Sequence, residues 1–199
     1  MLKVLWILLF FGTLIWSGIY PHDYFTWFLE VFPALIGLFF LWKTEKTFAF
    51  TKLVYSLILI HCIILMIGAH YTYAEVPFFN WLKDTYDLAR NNYDKLGHFA
   101  QGFIPAMIAR EIFIRKKIIN SKFWENLLIV AFCLGFSAFY ELIEWVVAIS
   151  SGESADSFLG TQGDVWDTQT DMALALVGAI VALLTLNKLH NKQLEKFIK

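Results

Sequence analysis

Long apolar blocks alternate with short polar joints along the whole chain. Six blocks approach the roughly 20 residues a helix needs to cross a bilayer. They cover residues 2–20, 24–42, 50–70, 95–114, 124–149 and 166–187. The joints at 21–23 and 43–49 are short, so the helices flanking them form antiparallel hairpins. The joint at 71–94 is longer and polar-aromatic, with Trp81, Tyr86 and Tyr93, which suits the membrane interface. No repeat, low-complexity run or soluble domain interrupts the blocks. The pattern predicts an all-α fold: one membrane domain over residues 1–199, built of six transmembrane helices.

Composition agrees. The 199 residues are 58% hydrophobic and 18% aromatic, with a mean hydropathy of +0.58. A soluble domain is nearer half apolar. The first block follows Lys3, runs to about Tyr20 and meets no A-x-A-like site, so it reads as an uncleaved span. The net charge of −1 gives no reason to expect a nucleic-acid partner. Cys62 and Cys133 both fall inside apolar blocks. They read as small buried hydrophobes, with no disulfide and no cysteine zinc site.

Basic residues orient the bundle. Twelve of the sixteen lysines and arginines lie at one set of block ends, and Lys83, Arg90 and Lys95 lie at the other. Positive charge stays inside, so both termini are expected in the cytoplasm. The joints at 21–23, 71–94 and 150–165 then face outward. The last of these carries Glu153, Asp156 and Asp164 and no basic residue.

Depth makes the remaining polar groups informative. Glu30, His98, Glu141, Glu144, Asp167 and Asp171 all fall in the outer third of their blocks. A charge at membrane depth costs about 2.5–3.5 kcal/mol at a helix centre, and less near the interface. These groups also keep to stripes. Asp94, His98 and Gln101 sit at i, i+4 and i+7, Glu141 and Glu144 at i and i+3, and Asp164, Asp167 and Asp171 at i, i+3 and i+7. Stripes on neighbouring helices can face a shared, outward-opening pocket, where a partner offsets the cost.

Three chemistries fit such a pocket. The first is a divalent metal, Zn, Mn, Fe or Mg, on His98, Glu144, Asp167 and Asp171. Glu144 and Glu141 would then act as base or outer support for hydrolysis or transfer on a lipid-linked or amphiphilic substrate. The second is a metal-free cluster that binds a lipid head group or amphiphile through Lys95, Gln101, Trp145 and Trp166, or simply fixes helix packing. The third is proton- or ion-coupled transport. The apolar inner halves of the last two blocks oppose it, while Arg110, Glu111 and His61 favour it. Enzyme and binding module both stay open, and the bilayer itself is a partner in each.

Plainer roles compete at several positions. Asp164 is placed to cap the last helix, and Asp167 to meet its dipole. Gly135 and Gly178 suit close helix contact. Arg110 and Glu111 suit the inner interface, and His61 a helix–helix hydrogen bond. His22, His70 and His190 carry no expectation.

Three stretches carry a family resemblance: Tyr93-Asp-Lys-Leu-Gly-His-Phe-Ala-Gln-Gly102, Phe139-Tyr-Glu-Leu-Ile-Glu-Trp145 and Leu159-Gly-Thr-Gln-Gly-Asp-Val-Trp-Asp-Thr-Gln-Thr-Asp-Met172. Together they resemble the YjdF-type bacterial inner-membrane proteins along the full chain. The resemblance implies a multi-pass protein of the bacterial cytoplasmic membrane and names no reaction. More distantly, Asp94, Lys95, His98 and Phe99, then Glu141 or Glu144, then Asp167 or Asp171, are similar to the order of residues in VanZ-like proteins. That similarity implies a link to the cell envelope. The chain departs from it by extra leading spans and a second acid in the fifth block.

The charge distribution makes a direct prediction about orientation. Alkaline phosphatase fused after Thr85 should be active, and fused after Lys196 inactive. The reverse pattern would overturn the assignment.

Overall fold

The structure is a computed structural model that describes residues 2–151 and 161–198. Glu153 and Asp156 therefore lie outside the described residues. Among those described, every regular element is an α-helix: α1 (Leu2–Ser17), α2 (Tyr24–Thr44), α3 (Lys52–Tyr71), α4 (Pro77–Thr85), α5 (Tyr93–Arg115), α6 (Lys122–Ser151) and α7 (Asp167–Leu194). Four of them, α2, α3, α6 and α7, are long and apolar enough to cross a membrane. The apolar helix α1 is shorter. Helix α5 is long enough, but it carries Asp94 and Lys95 at one end and Arg110, Glu111 and Arg115 at the other.

The polar-aromatic joint contains α4. Val76 and Pro77 open it, and proline at a first helical position costs nothing because its missing N–H has no partner there. Phe78 and Trp81 stack at 5.7 Å on its exposed side. Helix α2 starts at Asp23, whose carboxylate accepts from the Thr26 amide at 2.6 Å. That amide holds the Asp23 carboxyl below its ordinary pKa.

Helix α3 joins the two halves. It packs on α1 and α2 on one side and on α5 on the other, while α5 also packs on α6 and, most extensively, on α7. Many buried apolar residues of these two helices are alanine: Ala100, Ala106 and Ala109 on α5, beside Ile104 and Met107, and Ala175, Ala179 and Ala182 on α7. Such residues let helix backbones approach closely in a membrane, where apolar burial gives no drive between helices. At two points the approach excludes any side chain. A Cβ on Gly102 would lie 1.8 Å from the Ala175 carbonyl oxygen, and one on Gly178 would lie 2.2 Å from that of Phe99. The expectation for Gly178 holds. That for Gly135 does not, because a Cβ there would have nothing within 4 Å: this part of α6 faces outward.

Helices α5 and α7 run parallel. Lys95 near the start of α5 meets Asp171 near the start of α7, and Arg110 near the end of α5 meets His190 near the end of α7. Polar residues thus occupy both ends of the seam, and small apolar residues its middle.

The end of the seam where both helices finish, the inner end on the orientation expected from the sequence, is tied by Glu111 and His190, both 0% exposed. Glu111 accepts from the Thr51 amide at 2.9 Å, from its hydroxyl at 2.7 Å and from Arg115 at 2.8 Å, and His190 Nε2 lies 3.0 Å away. Arg110 reaches Asn191 at 2.6 Å. Arg115 also donates to the Ala49 carbonyl at 2.6 Å and stacks over Phe48. These bonds fasten the joint before α3 to the ends of α5 and α7.

The seam yields a stability prediction. Gly102→Ala and Gly178→Ala force backbones apart and should each cost about 1–3 kcal/mol or more. Gly135→Ala should be neutral or stabilise by up to about 1 kcal/mol. Thermal unfolding of the purified variants in detergent checks both.

Candidate functional site

The starts of α5 and α7 are held together before either helix begins. Gln162 and Gly163 form a tight turn with φ of +48° and +84°. The Gln162 side chain accepts from the Asn91 amide and donates to the Asn91 carbonyl, both at 2.9 Å. Asn91 is completely buried and donates to Asn80 of α4 at 2.8 Å and to the Val76 carbonyl at 3.1 Å. Three segments meet at this one residue, and it places its neighbour Arg90 over the helix starts.

Arg90 then bridges both helices. Its guanidinium donates to Asp167, to Asp94 at 3.2 Å and to Asp164 at 3.5 Å. Lys95 makes a second bridge, donating to Asp167 at 2.6 Å, Thr170 at 2.8 Å and Asp171 at 2.9 Å. Asp167 is shared by both cations. These pairs are largely removed from solvent, where charge-assisted bonds are strong and losing one partner is costly.

One turn deeper lies His98. Its Nε2 faces Asp94 Oδ1 at 3.3 Å and Asp171 Oδ2 at 3.8 Å. Its Nδ1 lies 3.1 Å from Gln101 Oε1 and 3.8 Å from Glu141 Oε1. Asp171 is 2% exposed, and Asp94, His98, Gln101 and Glu141 are buried with it. Donor atoms of Asp94, His98 and Asp171 all lie within 4.8 Å of one another. The charges of Glu144 on α6 and Glu30 on α2 also reach His98, and both side chains are buried.

The predicted residues divide accordingly. His98, Asp171, Gln101 and Glu141 come together. Asp167 is near, but it is taken up by Arg90 and Lys95 and does not join the His98 triangle. Lys95 is equally committed to Asp167 and Asp171. Glu144 shares the same interior without being one of the three grouped ligands. Trp145 and Trp166, expected at a binding site, are 58% and 64% exposed and point away from the cluster. Helix periodicity explains Trp145: the residue after a buried Glu144 turns by about 100°. Asp164 does not cap α7, which begins at Asp167 after Trp166. Its carboxylate instead closes a turn by accepting from the Trp166 amide at 2.9 Å.

Sequence reasoning passed over Arg90 as a site residue and left Asp94 out of the ligand set. The signal was present, since Arg90, Asp94 and His98 follow one another at steps of four. Arg90 precedes α5, however, and its role needs the bend that Asn91 imposes. His190, which carried no expectation from the sequence, is a fully buried member of the knot around Glu111.

Apolar helices around a buried ionic cluster define an integral membrane protein. The chain belongs to the family described as "Predicted membrane protein (DUF2238)", which matches residues 2–192. A relative, "Inner membrane protein YjdF" of Escherichia coli (strain K12), is 47% identical over 184 residues, covering 92% of this chain and 88% of the relative. These matches agree with the YjdF-type resemblance and do not bear on the VanZ-like one. No solved structure matches the chain.

The double bridge predicts a charge-coupled cost. Lys95→Met leaves Asp167 on Arg90 but takes from Asp171 its Lys95 partner, and should destabilise by about 3–5 kcal/mol. Adding Asp171→Asn to Lys95→Met removes the stranded charge and should recover part of the loss. Thermal unfolding of the single and double variants measures the coupling.

Proposed function

We propose a six-span protein of the bacterial inner membrane with both termini cytoplasmic. Its working part is the buried cluster of α5, α6 and α7, joined by α2, which forms an outward-facing site that engages the head group of an amphiphile in the outer leaflet. The role is envelope- or lipid-associated. On this reading α1 spans with the residues that follow it, and α5 spans because its charges are sequestered in two clusters. The relative described as an inner membrane protein supports the location.

The observation that carries the reading is a charge imbalance. Among the described residues, Asp94, Glu141, Glu144, Asp167 and Asp171 are buried together, with Glu30 of α2 also buried, and Arg90, Lys95 and the imidazole of His98 offset them. The knot around Glu111 has the opposite balance, with Arg110 and Arg115 against one carboxylate. The acids of α6 are also close to lipid. Their neighbours Leu142, Ile143, Trp145 and Val146 are exposed, so a single helix separates the cluster from the bilayer. Transport fits less well. The seam between the two polar ends is closed by Ile104, Ala106, Met107, Ala175, Ala179 and Ala182, which offer no relay.

The test is lipid retention. The wild type and Glu141→Gln/Glu144→Gln are extracted in mild detergent, and co-purifying lipid per chain is measured by mass spectrometry. Retention of a specific amphiphile by the wild type, lost in the variant at unchanged melting temperature, is the expected result. A wild type that enriches no lipid over the bulk membrane, or a variant that retains as much, contradicts the proposal.

A further inference from the structure

We propose that Asp94, His98 and Asp171 form a divalent-cation site, with Zn²⁺ the ion that suits it best. The proposal rests on the cluster being a ligand site and supplies what would let an acidic pocket hold an anionic head group.

The geometry divides each ligand into a held half and a free half. Asp94 Oδ2 is taken by Arg90 at 3.2 Å, and its Oδ1 faces His98 Nε2 at 3.3 Å. Asp171 Oδ1 is taken by Lys95 at 2.9 Å, and its Oδ2 faces the same nitrogen at 3.8 Å. The third ligand is oriented from behind. With Nδ1–H donated to Gln101 Oε1 at 3.1 Å, the Nε2 lone pair points at the two free oxygens. Outer partners that fix the imidazole tautomer and aim the carboxylates are the usual support of a metal site.

Spacing agrees. Tetrahedral ligands about 2.0–2.1 Å from zinc lie about 3.3–3.4 Å from one another. The two histidine–carboxylate separations, 3.3 and 3.8 Å, need little contraction. A proton serves the triangle less well. Nε2–H has one direction, and a bond to Asp94 leaves Asp171 Oδ2 beyond hydrogen-bond range. One imidazole with two carboxylates is a ligand set for zinc, manganese or iron rather than calcium.

A separate observation points the same way. Glu141 Oε1 is buried without a hydrogen-bond partner among the described residues and stands 3.8 Å from His98 Nδ1. An unpaired buried carboxylate oxygen is expensive. A cation held at Nε2 would offset the charge of that carboxylate across the imidazole ring. Three protein ligands leave a coordination position open, as catalytic zinc sites do. An oxygen of a phosphate or carboxylate head group is the occupant that fits.

The experiment uses the full chain in mild detergent, stripped with chelator, reloaded with Zn²⁺ and freed of excess. Elemental analysis should give near-stoichiometric zinc for the wild type and for His190→Gln, which alters the inner knot. It should give a large loss for Asp94→Asn and Asp171→Asn. X-ray absorption of the loaded wild type reads the ligands without any substitution, and should find one imidazole, the remaining donors oxygen and no sulfur. No retained zinc in the wild type would overturn the proposal. So would unchanged loading of Asp94→Asn and Asp171→Asn, or a shell with thiolate or two imidazoles. Lipid retention that persists in the stripped protein would leave the head-group reading standing and remove the metal from it.

Discussion

Charge buried among apolar helices constrains this protein more than anything else in it. A buried carboxylate is costly unless it is paired and hydrogen-bonded. The chain places several on three helices and meets the cost locally. Arg90 and Lys95 converge on Asp167, and between them they also take one oxygen of Asp94 and one of Asp171. Those bonds require the starts of α5 and α7 to lie side by side. The parallel seam, its glycines and the Gln162–Asn91 clamp all serve that juxtaposition.

The two ends of the seam illustrate different uses of the same chemistry. Where α5 and α7 finish, Glu111 has a bond for each oxygen, from a backbone amide, a hydroxyl and Arg115, with His190 beside it. The cations Arg110 and Arg115 outnumber that one acid, and the result is a fastener. Where the two helices start, the acids outnumber the bases, and one buried oxygen of Glu141 has no hydrogen-bond partner among the described residues. Residual need of that kind marks a place where something else binds. The exposed apolar residues of α6 make the bilayer the nearest source.

Much of this was legible in the sequence, for physical reasons. Apolar block length fixed the helices: expected blocks at 24–42 and 50–70 became Tyr24–Thr44 and Lys52–Tyr71. Depth and periodicity singled out His98, Glu141 and Asp171, because a helix cannot hide a polar stripe except against another. Pairing was not legible. Asp167 and Asp171 look equivalent as letters one turn apart, yet Arg90 and Lys95 share the first, while the second keeps an oxygen for His98. Arg90 keeps the four-residue step to Asp94 and His98, but it lies before α5 begins, so its role rests on the bend at Asn91. Trp145 and Trp166, expected among the binding residues, are exposed. Their exposure fits the interface instead.

The central claim is that the polar stripes of α5 and α6 face each other within the outer part of the membrane. Cysteines at His98 and Glu141, with a protease site introduced in the joint at 117–121, test it in native membranes. A short bifunctional thiol reagent should keep the cleaved halves joined in His98→Cys/Glu141→Cys and fail to do so in Leu96→Cys/Leu142→Cys, whose side chains face outward. Equal linking of both pairs, or linking of the outward pair alone, would contradict the arrangement.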